Sequence, residues 1–204
     1  MTKVKICGLK EQQHVQAAVE AGAAAVGFVF APSKRRVTVE QAQQLAKYVP
    51  ESVLKIGVFV NPSAEELRAA VEKVPLDYVQ YHGEESPEFI RQQGYPAIKA
   101  LSVRGAKDVH MAANYDVDYY LFDAPGTDFK GGSGHTFDWT LLELVGIPRE
   151  KLMLAGGLQA ENIEEAVSLV SPSMVDVSSG VETDGIKDIA KINAFLQAVQ
   201  KGRA

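Results

Sequence analysis

The chain holds one cysteine, in "VKICGL", where a short apolar run stops at Cys7 and Gly8 begins. A thiol ionises near pH ~8.5, so Cys7 is either a small buried filler or a reactive group whose thiolate acts as nucleophile or base. Other apolar runs end in polar or small residues as well. "AAVGFVF" leads into "APSKRRV", with Lys34, Arg35 and Arg36. "VQYH" ends at His82 and is followed by Gly83-Glu84-Glu85. "YYLFD" ends at Asp123. "LMLAGG" ends in Gly156-Gly157. "MVDVSSG" carries Asp176 and ends in Ser178-Ser179-Gly180. A carboxyl and a thiol on separate segments suit general acid–base chemistry. Glycine-rich turns bring backbone N–H groups close to an anion. An arginine matches a carboxylate through two parallel hydrogen bonds. Lys5 lies two residues before Cys7, on the same side of an extended strand, where its charge would favour a thiolate.

Each residue also has a plainer reading. Lone cysteines are commonly buried and inert. Asp123 could cap a helix, His82 could be a structural hydrogen-bonder, the 34–36 run could be a solvated loop, and the glycines could simply make tight turns. The elements that carry these residues bear on the choice. Eight short β-branched or aromatic runs are found at 3–7, 24–30, 54–60, 77–82, 97–101, 118–123, 152–156 and 174–179. Several are nearly continuous in apolar residues, as in parallel strands covered on both faces. Segments of helical spacing separate them. Residues 11–21 put Val15, Ala18 and Val19 on one face, and 39–48 follow Thr38 as N-cap. Ser63 with Glu66 makes a capping-box pattern. Residues 86–93 open with Ser86-Pro87. Residues 159–170 and 187–200 are amphipathic, and 105–113 are weaker.

Eight such units predict an α/β fold, a (β/α)8 TIM barrel of eight parallel strands forming a single domain over 1–204. An open doubly wound sheet is the alternative. The chain is short for the barrel, which typically takes about 250 residues, so its loops must be tight. Barrels place chemistry at the C-terminal ends of their strands and often bind phosphate with the loops after strands 7 and 8. The polar and small residues named first, Lys5 and Asp176 excepted, fall at or just after those ends. A third glycine cluster, "DFKGGSGHTFDW" at 128–139, lacks the Gly-Lys-Ser/Thr ending of a phosphate-binding P-loop. Thirteen residues separate Asp123 from Phe137, where a helix could start. A loop that long suggests a lid or binding loop.

Composition narrows the function classes. The formal charge of −5 gives no reason to expect nucleic-acid binding. The longest apolar stretches, such as 23–31, are too short to span a bilayer. The N-terminus runs straight into a strand without a signal-peptide pattern, and one cysteine allows no internal disulfide and no multi-cysteine metal site. A cytoplasmic protein is expected. His14, His110 and His135 show no metal-ligand spacing. Trp139 and Tyr119-Tyr120 read as packing residues.

Taken in order, "KICGL", "GAAAVGFVF" into "SKRRV", "GVFVN", "VQYHGEE", "IKA", "LFDAPGTDFKGGSGHTFDW", "LAGGL" and "VDVSSGVE" resemble the phosphoribosylanthranilate isomerase family over essentially the whole chain. The resemblance implies a barrel enzyme of tryptophan biosynthesis that uses no cofactor. Its small-molecule substrate would be N-(5-phosphoribosyl)anthranilate, converted by an Amadori rearrangement to 1-(2-carboxyphenylamino)-1-deoxyribulose 5-phosphate. It implies that Cys7 is the general base and Asp123 the general acid. Arg35 would take the substrate carboxylate, with the adjacent Arg36 as the alternative. The loops at Gly156, Gly157, Ser178, Ser179 and Gly180 would take the phosphate. His82 and Asp176 would line the pocket, and Lys5 would act on the thiol or on the substrate. Tyr81 stands where leucine is common, and Ala155 where serine often precedes the glycine pair. The acid must keep its proton near neutral pH, which burial or neighbouring negative charge would favour. A monomer and a homodimer are both compatible with this reading. Rival functions are an aminoaldose isomerase of histidine biosynthesis, an indole-forming synthase, and a non-catalytic barrel that binds a sugar phosphate.

Overall fold

In the computed structural model, which describes residues 1–125 and 136–202, eight parallel strands close into a barrel in chain order. The glycine cluster at 128–135, His135 included, lies outside the described residues. The strands are β1 (Lys3–Cys7), β2 (Ala25–Val29), β3 (Leu54–Phe59), β4 (Tyr78–Tyr81), β5 (Ala97–Ser102), β6 (Tyr119–Asp123), β7 (Leu152–Leu154) and β8 (Met174–Val177). The predicted strands are all present, most of them trimmed by a residue or two. β7 stops before Gly156 because the chain turns there at φ 87°. The ring closes where β1 pairs with β8, Lys5 beside Asp176.

Helices α1 (Gln12–Glu20), α2 (Val39–Ala46), α3 (Ala64–Lys73), α4 (Pro87–Gln93), α5 (Ala106–His110), α6 (Ile163–Val170) and α7 (Ile189–Lys201) lie between and after the strands. The caps read from the sequence are present. Thr38 and Ser63 form capping boxes with Gln41 and Glu66, and Ser86 accepts from Phe89 N ahead of α4. Two helices begin later than their periodicity suggests. Asn162 turns its side chain back to Gln159 N and Gly157 O, so residues before Ile163 form a turn and α6 starts there. Asp188 caps α7 through Ala190 N and Lys191 N. Just before it, Glu182–Thr183 (β9) and Ile186–Lys187 (β10) form a hairpin that helical spacing alone did not foretell. After β6, a 3-10 helix at Trp139–Leu144 stands where an α-helix was expected; Asp138 caps it, and Gly146 and Pro148 close off its continuation.

Alternation along the strands divides the core in two. Ile6, Val26, Phe28, Tyr81, Phe122 and Val175 face outward and pack with the helices. Ala25, Ile56, Ile98, Ala100, Leu121, Met153 and Met174 fill the interior, as layers of side chains do in such barrels. One outward position is charged and almost wholly buried. Lys99 is 1% exposed, and its Nζ donates to Glu85 Oε2 and to Gly83 O, each at 2.8 Å. Glu85 in turn accepts from Asn61 N at 2.8 Å and Gly83 N at 3.0 Å. This buried pair ties the turn after β4, and hence His82, to β3 and β5. Lys99→Met leaves the Glu85 carboxylate buried without its cation. The expected cost is about 3–5 kcal/mol, read from the urea unfolding midpoint; a shift worth less than about 1 kcal/mol would show that the backbone N–H donors alone satisfy Glu85.

Candidate active site

The interior positions of β1 are Lys5 and Cys7, and both are buried. Their space comes from β2: a Cβ on Gly27 would lie 2.8 Å from Cys7 Sγ and 3.2 Å from Lys5 Cε. Lys5 Nζ donates to Asp176 Oδ2 at 2.8 Å, and Asp176 Oδ1 has no hydrogen-bond partner among the described residues. Burial disfavours the Lys5 charge, yet Asp176 and Cys7 together hold its pKa above the ordinary lysine value. The thiol shifts upward as well. Burial pushes Cys7 above its ordinary range and the Asp176 charge adds to this; Lys5 and Lys187 pull the other way without prevailing. The expectation for Lys5 therefore holds in sign but not in outcome. Its cation does favour the thiolate, but Asp176 already neutralises much of it, and burial outweighs what is left.

Across the mouth, Asp123 ends β6 and is 4% exposed. Burial was one of the two surroundings anticipated for an acid here. The other, a neighbouring negative charge, gives way to an imidazole: His82 Nε2 lies 3.2 Å from Asp123 Oδ2, close but not aligned as a hydrogen bond. Gln80, two residues earlier on the same face of β4, donates from Nε2 to His82 Nδ1 at 3.1 Å. In the neutral ring this puts the imidazole hydrogen on Nε2, facing Asp123.

The loop after β2 brings Arg35, not Arg36, to the site. Val37 N bonds back to Val29 O, so the loop folds against its own strand. Arg36 is left exposed, whereas Arg35 is 9% exposed. The Arg35 stem lies on Gly8, where an added Cβ would come 2.6 Å from Arg35 Cδ. Its guanidinium forks onto Glu182, Nε to Oε1 at 2.6 Å and Nη2 to Oε2 at 2.8 Å. Lys187 Nζ reaches the same carboxylate at 2.5 Å and also donates to Ser178 O at 2.9 Å. Burial would raise the Glu182 pKa, but its bonds to Arg35 and the Lys187 charge hold it below the usual carboxylate range.

The two glycine-rich loops meet. Gly156 and Gly157 have φ of 87° and 63°, and neither N–H finds an acceptor among the described residues. Gly180 packs so closely under the Leu158 carbonyl that no side chain fits there. Ser178 Oγ donates to Cys7 O at 3.1 Å, which joins the loop after β8 to the end of β1. Ser179 opens the short 3-10 turn that continues this loop. The predicted residues thus share one end of the barrel.

The family model for N-(5'-phosphoribosyl)anthranilate (PRA) isomerase matches residues 4–198. The chain belongs to that family. It is 50% identical to N-(5'-phosphoribosyl)anthranilate isomerase of Listeria welshimeri over 97% of this chain and 98% of that one. It is 49% identical to the Streptococcus mutans enzyme over 98% of this chain and 100% of that one. The crystal structure of phosphoribosyl anthranilate isomerase from Thermotoga maritima superposes with a TM-score of 0.89 at 38% identity, covering 98% of this chain and 100% of that one. A further structure of the isomerase, in complex with reduced 1-(o-carboxyphenylamino)-1-deoxyribulose 5-phosphate, gives a TM-score of 0.86 at 37% identity, with 98% and 100% covered.

Sequence reasoning passed over four residues at this isomerase site: Gly27, Gln80, Glu182 and Lys187. Two left a signal. A glycine inside a strand marks a close approach, and Gln80 shares the face of β4 that His82 extends. Glu182 and Lys187 flank Asp184-Gly185, a hairpin turn signal hidden beside a helical pattern. Lys5→Met removes the cation that lowers the thiol pKa and leaves Asp176 unpaired, so the thiol is expected to titrate still higher. The pH dependence of Cys7 alkylation measures this, and an unchanged profile would show that Lys5 does not act on the thiol.

Proposed function

We propose that Cys7 and Asp123 are the base and acid with which this isomerase carries out its reaction. That reaction is the Amadori rearrangement of N-(5'-phosphoribosyl)anthranilate to 1-(2-carboxyphenylamino)-1-deoxyribulose 5-phosphate in tryptophan biosynthesis. The observation that carries the reading is the placement of the two groups, a buried thiol ending β1 and a buried carboxyl ending β6, on opposite sides of one barrel mouth.

The chemistry needs both. Asp123 gives its proton to the ribose ring oxygen as the C1–O bond breaks, leaving an open-chain iminium at C1. The Cys7 thiolate then takes the proton from C2, and the C2–H electron pair forms the C1–C2 double bond of an enolamine. The enolamine tautomerises to the 2-ketone. His82 faces Asp123 with an N–H that steadies the carboxylate once its proton has left. The amides after β7 and β8 face the phosphate, and Arg35 faces the anthranilate carboxylate. Asp176 Oδ1, buried without a partner among the described residues, is an acceptor for a sugar hydroxyl. The raised thiol pKa means that the free enzyme holds Cys7 mainly as the thiol at neutral pH, with Lys5 stabilising the minor thiolate.

No helix among the described residues is long and apolar enough to cross a membrane, and the reading carries a cytoplasmic setting. The T. maritima relative is described as dimeric; a homodimer or a monomer fits this chain equally well.

Loss of substrate fluorescence, with phosphoribosylanthranilate made in situ, tests the roles. Cys7→Ala and Asp123→Asn are each expected to lower kcat by roughly 10²- to 10⁴-fold, and full activity in either would remove that residue from the mechanism. Because the base must be deprotonated, the residual kcat/KM of Asp123→Asn, where no acid titrates at that position, should keep rising with pH past the ordinary thiol range of about 8.5. A plateau reached well below that pH would assign the base to another group.

A further inference from the structure

The Arg35 guanidinium has two edges that can grip a carboxylate. One is Nε with Nη2; the other is Nη1 with the second hydrogen of Nη2. In this structure Glu182 takes the first edge with both oxygens. Nη1 makes no hydrogen bond among the described residues. We propose that Glu182 is a positioning residue for substrate recognition: by filling the side edge of Arg35 it aims the end edge at the anthranilate carboxylate. This inference rests on the carboxylate role assigned to Arg35 above.

Three features support it. First, Glu182 is itself held at both its carboxylate and its backbone. Lys187 grips Oε1 at 2.5 Å, and Lys191 Nζ donates to the Glu182 carbonyl at 2.8 Å. The hairpin of β9 and β10 sets Glu182 directly opposite Lys187. A carboxylate with so little freedom serves as a fixed reference for a longer, more mobile partner. Second, the arginine stem is closely packed. It runs over Gly8, against the end of β1, so the guanidinium plane is defined by Gly8 below and Glu182 beside it. Third, the charges balance in a useful way. Glu182 offsets one of the two buried cations it touches, Arg35 and Lys187, and the exposed Lys34 Nζ lies 3.9 Å away, so positive charge is left over for an incoming anion. Glu182 and Arg35 come from loops 147 residues apart in the chain, which explains why no local motif shows the pairing.

The test is a double-mutant cycle on KM and kcat with Glu182→Gln and Arg35→Met. Glu182→Gln keeps the shape but turns an N–H toward the arginine fork. The expected result is a KM raised about tenfold, kcat within about twofold, and no further rise in KM when the change is made in the Arg35→Met enzyme. A second readout is inhibition by the reduced product and by its phenylamino counterpart lacking the carboxylate. The wild type should prefer the carboxylate form, and both single variants should lose that preference to a similar degree. If Glu182→Gln raises KM equally with and without Arg35, or leaves the inhibitor preference intact, it acts by another route and the inference is overturned. If Arg35→Met raises KM and Glu182→Gln does not, the positioning role alone fails. If Arg35→Met changes neither KM nor the preference, the carboxylate role of Arg35 fails first and the inference goes with it. Should Glu182→Gln not fold by circular dichroism, Glu182→Asp carries the same cycle: it keeps the charge one methylene short, and a KM rise that vanishes in Arg35→Met is the supporting outcome.

Discussion

The contact on which the site depends is the ion pair between Lys5 and Asp176. It bridges the seam where the last strand meets the first, inside a barrel filled largely with apolar side chains. Burying either charge alone would be costly, so each requires the other. The pair lies at the closure itself, two residues below Cys7 at the end of β1. It also sets the electrostatics of the thiol. A free lysine two residues below would favour a thiolate strongly; a lysine already bound to a carboxylate does so weakly, and burial prevails.

The same logic recurs outside the barrel and at its rim. Lys99 with Glu85 anchors the turn that carries His82, and Glu182 with Lys187 anchors Arg35. In each case a buried pair fixes the backbone or side chain next to a group that faces the mouth. Such pairs contribute little net stability when compared with apolar residues of similar volume. What they supply is a defined position, since a half-buried charge has few places in which it is fully satisfied. An acid–base reaction at two carbons of a small sugar tolerates little misplacement, so a site built on such anchors suits it.

Much of the architecture was legible along the chain. The eight runs of β-branched and aromatic residues became eight strands, and Thr38, Ser63 and Ser86 capped the helices they precede. These are local features: strand burial shows in composition, and a cap is satisfied within three residues. The misreadings were also local in origin. Residues 159–162 have helical spacing, but the Asn162 side chain competes for their backbone groups. Lys187 fits the helical pattern that follows it, but the Asp184-Gly185 turn draws it into a hairpin.

By itself the sequence determined the strand–helix alternation, the barrel that follows from it, and the set of reactive groups at the strand ends. Periodicity, capping and turn chemistry act over a few residues, and the barrel's geometry places strand ends together whatever the details. Only the tertiary structure decided which arginine enters the site and what each charge is partnered with. Lys5 meets Asp176 across 171 residues and Arg35 meets Glu182 across 147, distances over which no spacing rule operates. The resting state of Cys7 is decided there too, because a pKa reports everything packed around the thiol and not the six letters that contain it.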